Sequence, residues 1–172
     1  MIKILLVLNH VQAGLGNEGF DSPPCGKRDV LGPGKMMKSF LESIGGEIIA
    51  TLYCGDVYYK NNTSASNKKF ISMIKKLKPD VVICGPAFHY ESFGYMASSI
   101  AKEINEKLNI PSFAVMSSDN LSVNDYKEEV IIVRTPNKGE DGLYEAIKNI
   151  CNMAIKLGKK EDIEEFKKIV CL

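Results

Sequence analysis

The chain has 172 residues, 45% of them apolar and 25% charged, a composition ordinary for a folded globular protein and unlike a disordered one. Twenty-two Lys and Arg stand against 21 Asp and Glu, a formal net charge of +1. That balance supplies neither a basic footprint for nucleic acid nor an acidic tail. The length is suited to one domain over residues 1–172. The opening run Met1–Leu8 is too short to span a bilayer, and no small-residue cleavage site follows it. No membrane contact is expected, and the cytoplasm is the expected compartment.

In chain order, Ile2–Asn9 is an apolar run broken only by Lys3, the pattern of a strand buried on both faces. An irregular stretch from His10 to Gly32 follows. Pro33 then opens a helix with Met36, Met37, Phe40, Leu41 and Ile44 at helical spacing, and Gly45-Gly46 ends it. Glu47–Cys54 is a second strand, Asn62–Lys78 a helix, and Val81–Cys84 a third strand. Ser92–Leu108 is a helix, Ile110–Met116 a fourth strand, and Glu129–Thr135 a fifth. Gly142–Leu157 is a helix with Leu143, Ala146, Ile147, Ile150, Ala154 and Leu157 facing inward. Lys160–Val170 is a last helix, acidic early and basic late, a solvated face that suits the helix dipole. This alternation predicts a three-layer, doubly wound α/β fold. Its sheet is mostly parallel and five-stranded, in the flavodoxin-like order 2-1-3-4-5.

Ligands in such a sheet bind at the carboxyl ends of the strands, where the order reverses between the first and third. Three loops converge there, starting at His10, at Gly55-Asp56 and at Gly85-Pro86. Gly14 to Gly19 match G-x-G-x-x-G, but Phe20-Asp21-Ser22-Pro23-Pro24 cannot form the helix that a dinucleotide site requires on the third glycine. Gly32-Pro33-Gly34 at a helix start is a better anion candidate; its other reading is a plain helix entry. His10 and His89, the only histidines, each follow a strand expected to be central. They are catalytic candidates, as are Cys54 and Cys84, although both thiols also read as small buried hydrophobes. Asp56 and Glu91 could act as acid, base or cation partner. Tyr58, Tyr59, Phe88, Tyr90, Phe93 and Tyr95 cluster on or beside the second and third loops. Their faces could attract a substituted ammonium, or they could pack helix entries.

The five cysteines form no C-x-x-C, which removes a zinc ribbon or thioredoxin-type motif, and no metal is expected. Cys151 lies on an apolar helix stripe. Cys25 lies in a polar loop and is expected to be exposed. Asn61-Asn62-Thr63 and Asn120-Leu121-Ser122 match the glycosylation sequon, which has no meaning in a cytoplasmic protein.

One ordered set of segments carries a family resemblance. It runs through Ala13-Gly14-Leu15-Gly16-Asn17-Glu18, Val30-Leu31-Gly32-Pro33-Gly34, Cys54-Gly55-Asp56-Val57-Tyr58-Tyr59, Lys78-Pro79-Asp80, Cys84-Gly85-Pro86-Ala87-Phe88-His89 and Gly94-Tyr95. In order and spacing these resemble the amino-terminal part of the glycine/sarcosine/betaine reductase component B family, over most of residues 1–135. The resemblance implies reductive deamination in anaerobic amino-acid fermentation. A selenolate attacks the α-carbon, the amine leaves, and the resulting carboxymethyl-selenoether passes to a second selenoprotein. For glycine, a pyruvoyl group on a partner subunit first captures the amine. Thioredoxin-type dithiols supply the electrons.

The family's proteins are considerably longer and carry their selenocysteine in the later part. None appears among these residues, so the nucleophile is not carried over. The expectation is a subunit that binds substrate or partner, with Glu18, Gly32, Gly34, Asp56, Tyr58, Tyr59, Phe88 and Tyr90 as the substrate-binding set. No cofactor is expected on this chain itself; the selenocysteine and pyruvoyl group belong to partners. The implied partners are other reductase subunits and a small amino acid, with a homo-oligomer possible. Two alternatives stay open at this point: a stand-alone enzyme using His and Cys on a small carboxylate, and a flavodoxin-like module for a nucleotide or flavin.

Overall fold

The computed structural model describes residues 1–17 and 22–172. The candidate Glu18 and the last glycine of the G-x-G-x-x-G match lie outside the described residues.

Strand β1, Ile2–Asn9, forms the middle of the sheet. It pairs in parallel with β3, Gly46–Cys54, on one side and with β4, Val81–Cys84, on the other. Helices cover both faces, so Ile4 to Leu8 and Val81 to Cys84 are completely buried. This is why these strands are continuous apolar runs rather than alternating ones. Strands β5, Ser112–Ser117, and β6, Ile132–Thr135, extend the sheet in parallel. The five parallel strands run β3-β1-β4-β5-β6, which is the expected 2-1-3-4-5 order. A sixth strand, β2, Cys25–Lys27, pairs antiparallel with β3 and forms one edge. It falls inside the stretch the sequence reads as irregular.

Helices α1, Gly34–Ser43, and α6, Leu143–Gly158, pack together on one face. On the other lie α2, Asp56–Asn61, α3, Thr63–Leu77, α4, Glu91–Lys107, and α5, Ser122–Tyr126. A last helix, α7, Glu164–Val170, packs beside β6.

Some expected boundaries move. The second loop is helical from its second residue, because α2 opens at Asp56 directly after Gly55. The last helix starts at Glu164 rather than Lys160, whose positive φ of 58° breaks the helical path. Residues 129 and 130 are not strand: their N–H groups donate to the Tyr126 carbonyl and close a turn after α5. Residues 110 and 111 precede β5, whose first residue is fixed by Asn105. That side chain accepts from the Ser112 N–H (2.9 Å) and donates to the Ser112 carbonyl (3.1 Å). Leu143, expected to face inward, is 41% exposed. It is the first residue of α6, and its side chain lines a cleft instead of the core. Among the described residues no helix is long and apolar enough to cross a membrane.

Candidate functional site

Asn9 ends β1, and its side chain organises the turn beyond the strand. Its Oδ1 accepts from the Gln12 N–H (2.8 Å), and its Nδ2 donates to Asp56 Oδ2 (3.3 Å). The N–H groups of Ala13, Gly14 and Leu15 donate back to the carbonyls of Asn9, Val11 and His10. The chain therefore leaves β1 in a compact turn, tied through Asn9 to the start of α2. Gly32 crosses under this turn with φ +48°, and a Cβ there would overlap the Gln12 carbonyl oxygen. No side chain fits at that crossing.

His10 is 1% exposed. Its Nε2 donates to the Asn17 carbonyl (2.6 Å), and its backbone N–H donates to the Cys54 carbonyl. Asp56 stands in the first turn of α2, where its Oδ1 accepts from the Val57 N–H (2.9 Å). A carboxylate at a helix start is favoured by the dipole. Glu91 occupies the same position on α4.

These residues face one another across a cleft of about 320 Å³ at the carboxyl ends of β1, β3 and β4. Its lining is Asn9, His10, Val11, Gln12, Asp56, Val57, Tyr90, Glu91 and Ser92. The volume is at the small end of ligand pockets. Among the described residues the lining carries two carboxylates and no Lys or Arg, so it favours a positively charged group. Val11, Val57 and Tyr90 are each more than a third exposed and form an apolar rim.

The chain matches the family model for glycine/sarcosine/betaine reductase selenoprotein B over residues 1–169. The chain belongs to this family. It is 33% identical over 161 residues to the sarcosine reductase complex component B subunit beta of Peptoclostridium acidaminophilum, covering 93% of this chain and 36% of that protein. It is 33% identical over 148 residues to the glycine reductase complex component B subunit gamma of Carboxydothermus hydrogenoformans, covering 86% and 34%. The corresponding gamma subunit of Peptoclostridium acidaminophilum is 28% identical over 162 residues, covering 94% and 37%. The chain spans about a third of the length of these component B relatives. No solved structure matches it.

Within this chain the two histidines do not line the same cleft. His89 stacks on Tyr90 (4.3 Å between ring centroids) and lines a second cleft of about 320 Å³ with Phe88, Pro136, Asn137, Lys138, Glu140 and Leu143. Gln12 and Tyr90 belong to both linings and part the two spaces.

The aromatic set divides in the same way. Tyr90 is 46% exposed at the rim. Tyr59 is fully buried: its hydroxyl donates to Asn67 Oδ1 (2.5 Å) and lies 2.7 Å from Ser99 Oγ. Burial raises the Tyr59 phenol well above its ordinary range, offset in part by Ser99. Tyr95 meets Tyr59 and Tyr126 edge to face at 5.9 and 6.2 Å. Phe93 is core, and the half-buried Tyr58 packs against the core without entering either cleft.

The glycine pair is placed apart as well. The Gly34 N–H donates to the Leu31 carbonyl (3.0 Å), and Gly34 is packed among Leu6, Val30 and Ile48. Neither Gly32 nor Gly34 lines the cleft. Cys54 and Cys84 are fully buried beneath the loops. Cys54 Sγ lies 3.3 Å from the Ser22 carbonyl and 3.4 Å from that of Gly55. Burial pushes the Cys84 thiol far up and the Cys151 thiol up to about 12. Cys25 is exposed on β2. Among the described residues no thiol lines either cleft.

Two residues of the site have no counterpart in the sequence reading. Asn9 had one available signal, a polar side chain ending an apolar strand just before a loop. Asn120, noticed only as a sequon, holds the third loop. It is 2% exposed, and its Nδ2 donates to the carbonyls of Phe88 (2.9 Å) and Tyr90 (3.1 Å). Its Oδ1 accepts from the Ser122 N–H (3.0 Å). Gly94 leaves room for this side chain, since a Cβ there would overlap the Asn120 amide. Asn120 therefore sets the height of Tyr90 above the cleft.

Proposed function

We propose that this component B chain contributes the pocket that receives the amine end of glycine or an N-methylated glycine within a cytoplasmic amino-acid reductase complex. The nucleophile comes from outside residues 1–172. The observation that carries this reading is the pairing of Asp56 and Glu91 across one cleft with the Tyr90 face at its rim and no lysine or arginine in the described lining. The carboxylates complement an ammonium, and the tyrosine face complements its methylated forms. The names of the relatives, subunits of sarcosine and glycine reductase complexes, support the substrate class. The burial of the Cys84 and Cys151 thiols supports a nucleophile outside residues 1–172, since protonated buried thiols are inert.

Calorimetric titration with glycine, sarcosine and betaine tests this. Binding in the millimolar range is expected, weakened about five- to tenfold by Asp56→Asn and by Glu91→Gln, as for loss of a charge partner worth about 1–1.4 kcal/mol. Absence of heat for all three at millimolar concentration, or affinity indifferent to both substitutions, would overturn it.

A further inference from the structure

The helical layer carries a charge asymmetry unconnected with the cleft. Between Asp56 and Asp80 there are six lysines, at 60, 68, 69, 75, 76 and 78, and no acidic residue. On α3, Lys68, Ile71, Ser72, Lys75 and Lys76 fall at i, i+3, i+4, i+7 and i+8, so they form one stripe. With Lys107 at the end of α4, this stripe lines a groove of about 430 Å³. Ile71 gives the groove an apolar element, and the lysine stems can extend it.

Of the groove's lysines, Lys107 alone is in an ion pair, with Glu103 (2.6 Å). Among the described residues, every lysine in an ion pair lies at position 102 or later. Lys68, Lys75 and Lys76 are exposed and in no such pair. The helix dipole accounts for Lys75 and Lys76 in the last turn of α3. It does not account for Lys68 further back, or for the lack of any acid over the whole segment.

We propose that this groove is a docking surface for a carboxylate-rich segment of another polypeptide. Charge complementarity selects the occupant. A second copy of this chain is a poor match, because its most acidic stretch, residues 161–165, is already paired. Glu161 meets Lys156 (3.3 Å), Glu164 meets Lys167 (3.5 Å) and Glu165 meets Lys168 (2.5 Å). Single-stranded nucleic acid is a poor match too, since the groove lining has no aromatic and no arginine on which bases could stack. The stripe from Lys68 to Lys76 is about 12 Å long, three helical turns at most, the reach of a short helix or loop. The C-terminal ends of α3 and α4 lie at the amino edge of the sheet, opposite the cleft. A partner seated here therefore leaves the cleft open.

The test uses the full chain and two fluorescein-labelled probes, a peptide of alternating Glu and Leu about 12 residues long and a single-stranded DNA of equal charge. Anisotropy is read from about 50 to 300 mM salt. The peptide is expected to bind, to weaken as salt rises, and to lose at least about tenfold in affinity in the Lys68→Glu/Lys75→Glu/Lys76→Glu variant. The same exchange at exposed Lys35 and Lys38 on α1 is expected to change affinity less than about twofold, with circular dichroism unchanged in both variants. Three results overturn the proposal: no peptide binding at low salt, equal loss in both variants, or tighter binding of the DNA than of the peptide. The last would reassign the groove to nucleic acid.

Discussion

Tyr59 and Tyr90 stand 31 positions apart and meet opposite fates. Tyr59 is sealed in the layer between α2, α3 and α4, with its hydroxyl bonded to Asn67 and neighbouring Ser99. Tyr90 caps the approach to α4 with nearly half its surface in solvent. Both belong to the same aromatic cluster in the sequence. The difference lies in what each loop becomes. The residues after β3 coil at once into α2, which turns Tyr59 inward. The residues after β4 turn at Phe88-His89, where the Tyr90 N–H donates to the Ala87 carbonyl, and Asn120 holds the carbonyls of Phe88 and Tyr90 so that Tyr90 faces outward. An aromatic cluster in a loop therefore divides by local backbone path, and two of its six members, Tyr59 and Phe93, belong to the core.

That division can be broken from either side. The largest effect is expected for Tyr59→Ala, which empties a fully buried ring and should cost about 3–5 kcal/mol in chemical denaturation. A cost near that of a surface change would place Tyr59 outside the core. Asn120→Ala comes next. It strips the donors from two loop carbonyls, should cost about 1–3 kcal/mol, and should weaken substrate binding as well, because Tyr90 loses its support. Tyr59→Phe keeps the packing but leaves Asn67 and Ser99 without their partner, for about 1–2 kcal/mol and no change in ligand affinity. Tyr90→Ala is the mirror image: less than about 0.5 kcal/mol in stability, yet a loss of about two- to fivefold in affinity for betaine in the titration proposed above.

Alkali is the gentlest probe. Burial raises Cys171 up to about 11, Cys151 up to about 12, and Cys84 and Tyr59 further still. The unfolded chain therefore loses these protons first. Their stabilising effect is complete below the ordinary thiol pKa of about 9, and declines as pH rises above it. Melting temperature followed from about pH 8 to about 11 should fall progressively. A flat profile would mean that these groups are solvated.

The sheet was legible because its strands carry their own signal. Ile2–Asn9 and Val81–Cys84 are apolar on both faces and end at the same residues in sequence and structure. What the sequence concealed depends on distant partners. Cys25-Gly26-Lys27 has no strand signature and becomes one by pairing with Thr51–Tyr53. Asp56-Val57-Tyr58-Tyr59 is rich in residues with modest helix propensity and becomes α2 because Tyr59 anchors it. At the site, Asp56, Glu91 and Tyr90 were visible as charged or aromatic loop residues at a predictable edge. Asn9 and Asn120 were not, since each acts through hydrogen bonds to residues up to 47 positions away.

The Asn120 side chain occupies the space that a Cβ would take at position 94. Volume is thus shared between a helix and a remote turn, and the two positions form a single steric unit. A methyl group added at 94 alone would evict the amide and release the loop that bears Tyr90. The same methyl paired with a smaller residue at 120 would fit, but the loop would then need another clasp. A chimera that exchanges either α4 or the turn at Asn120 in this chain should exchange both together.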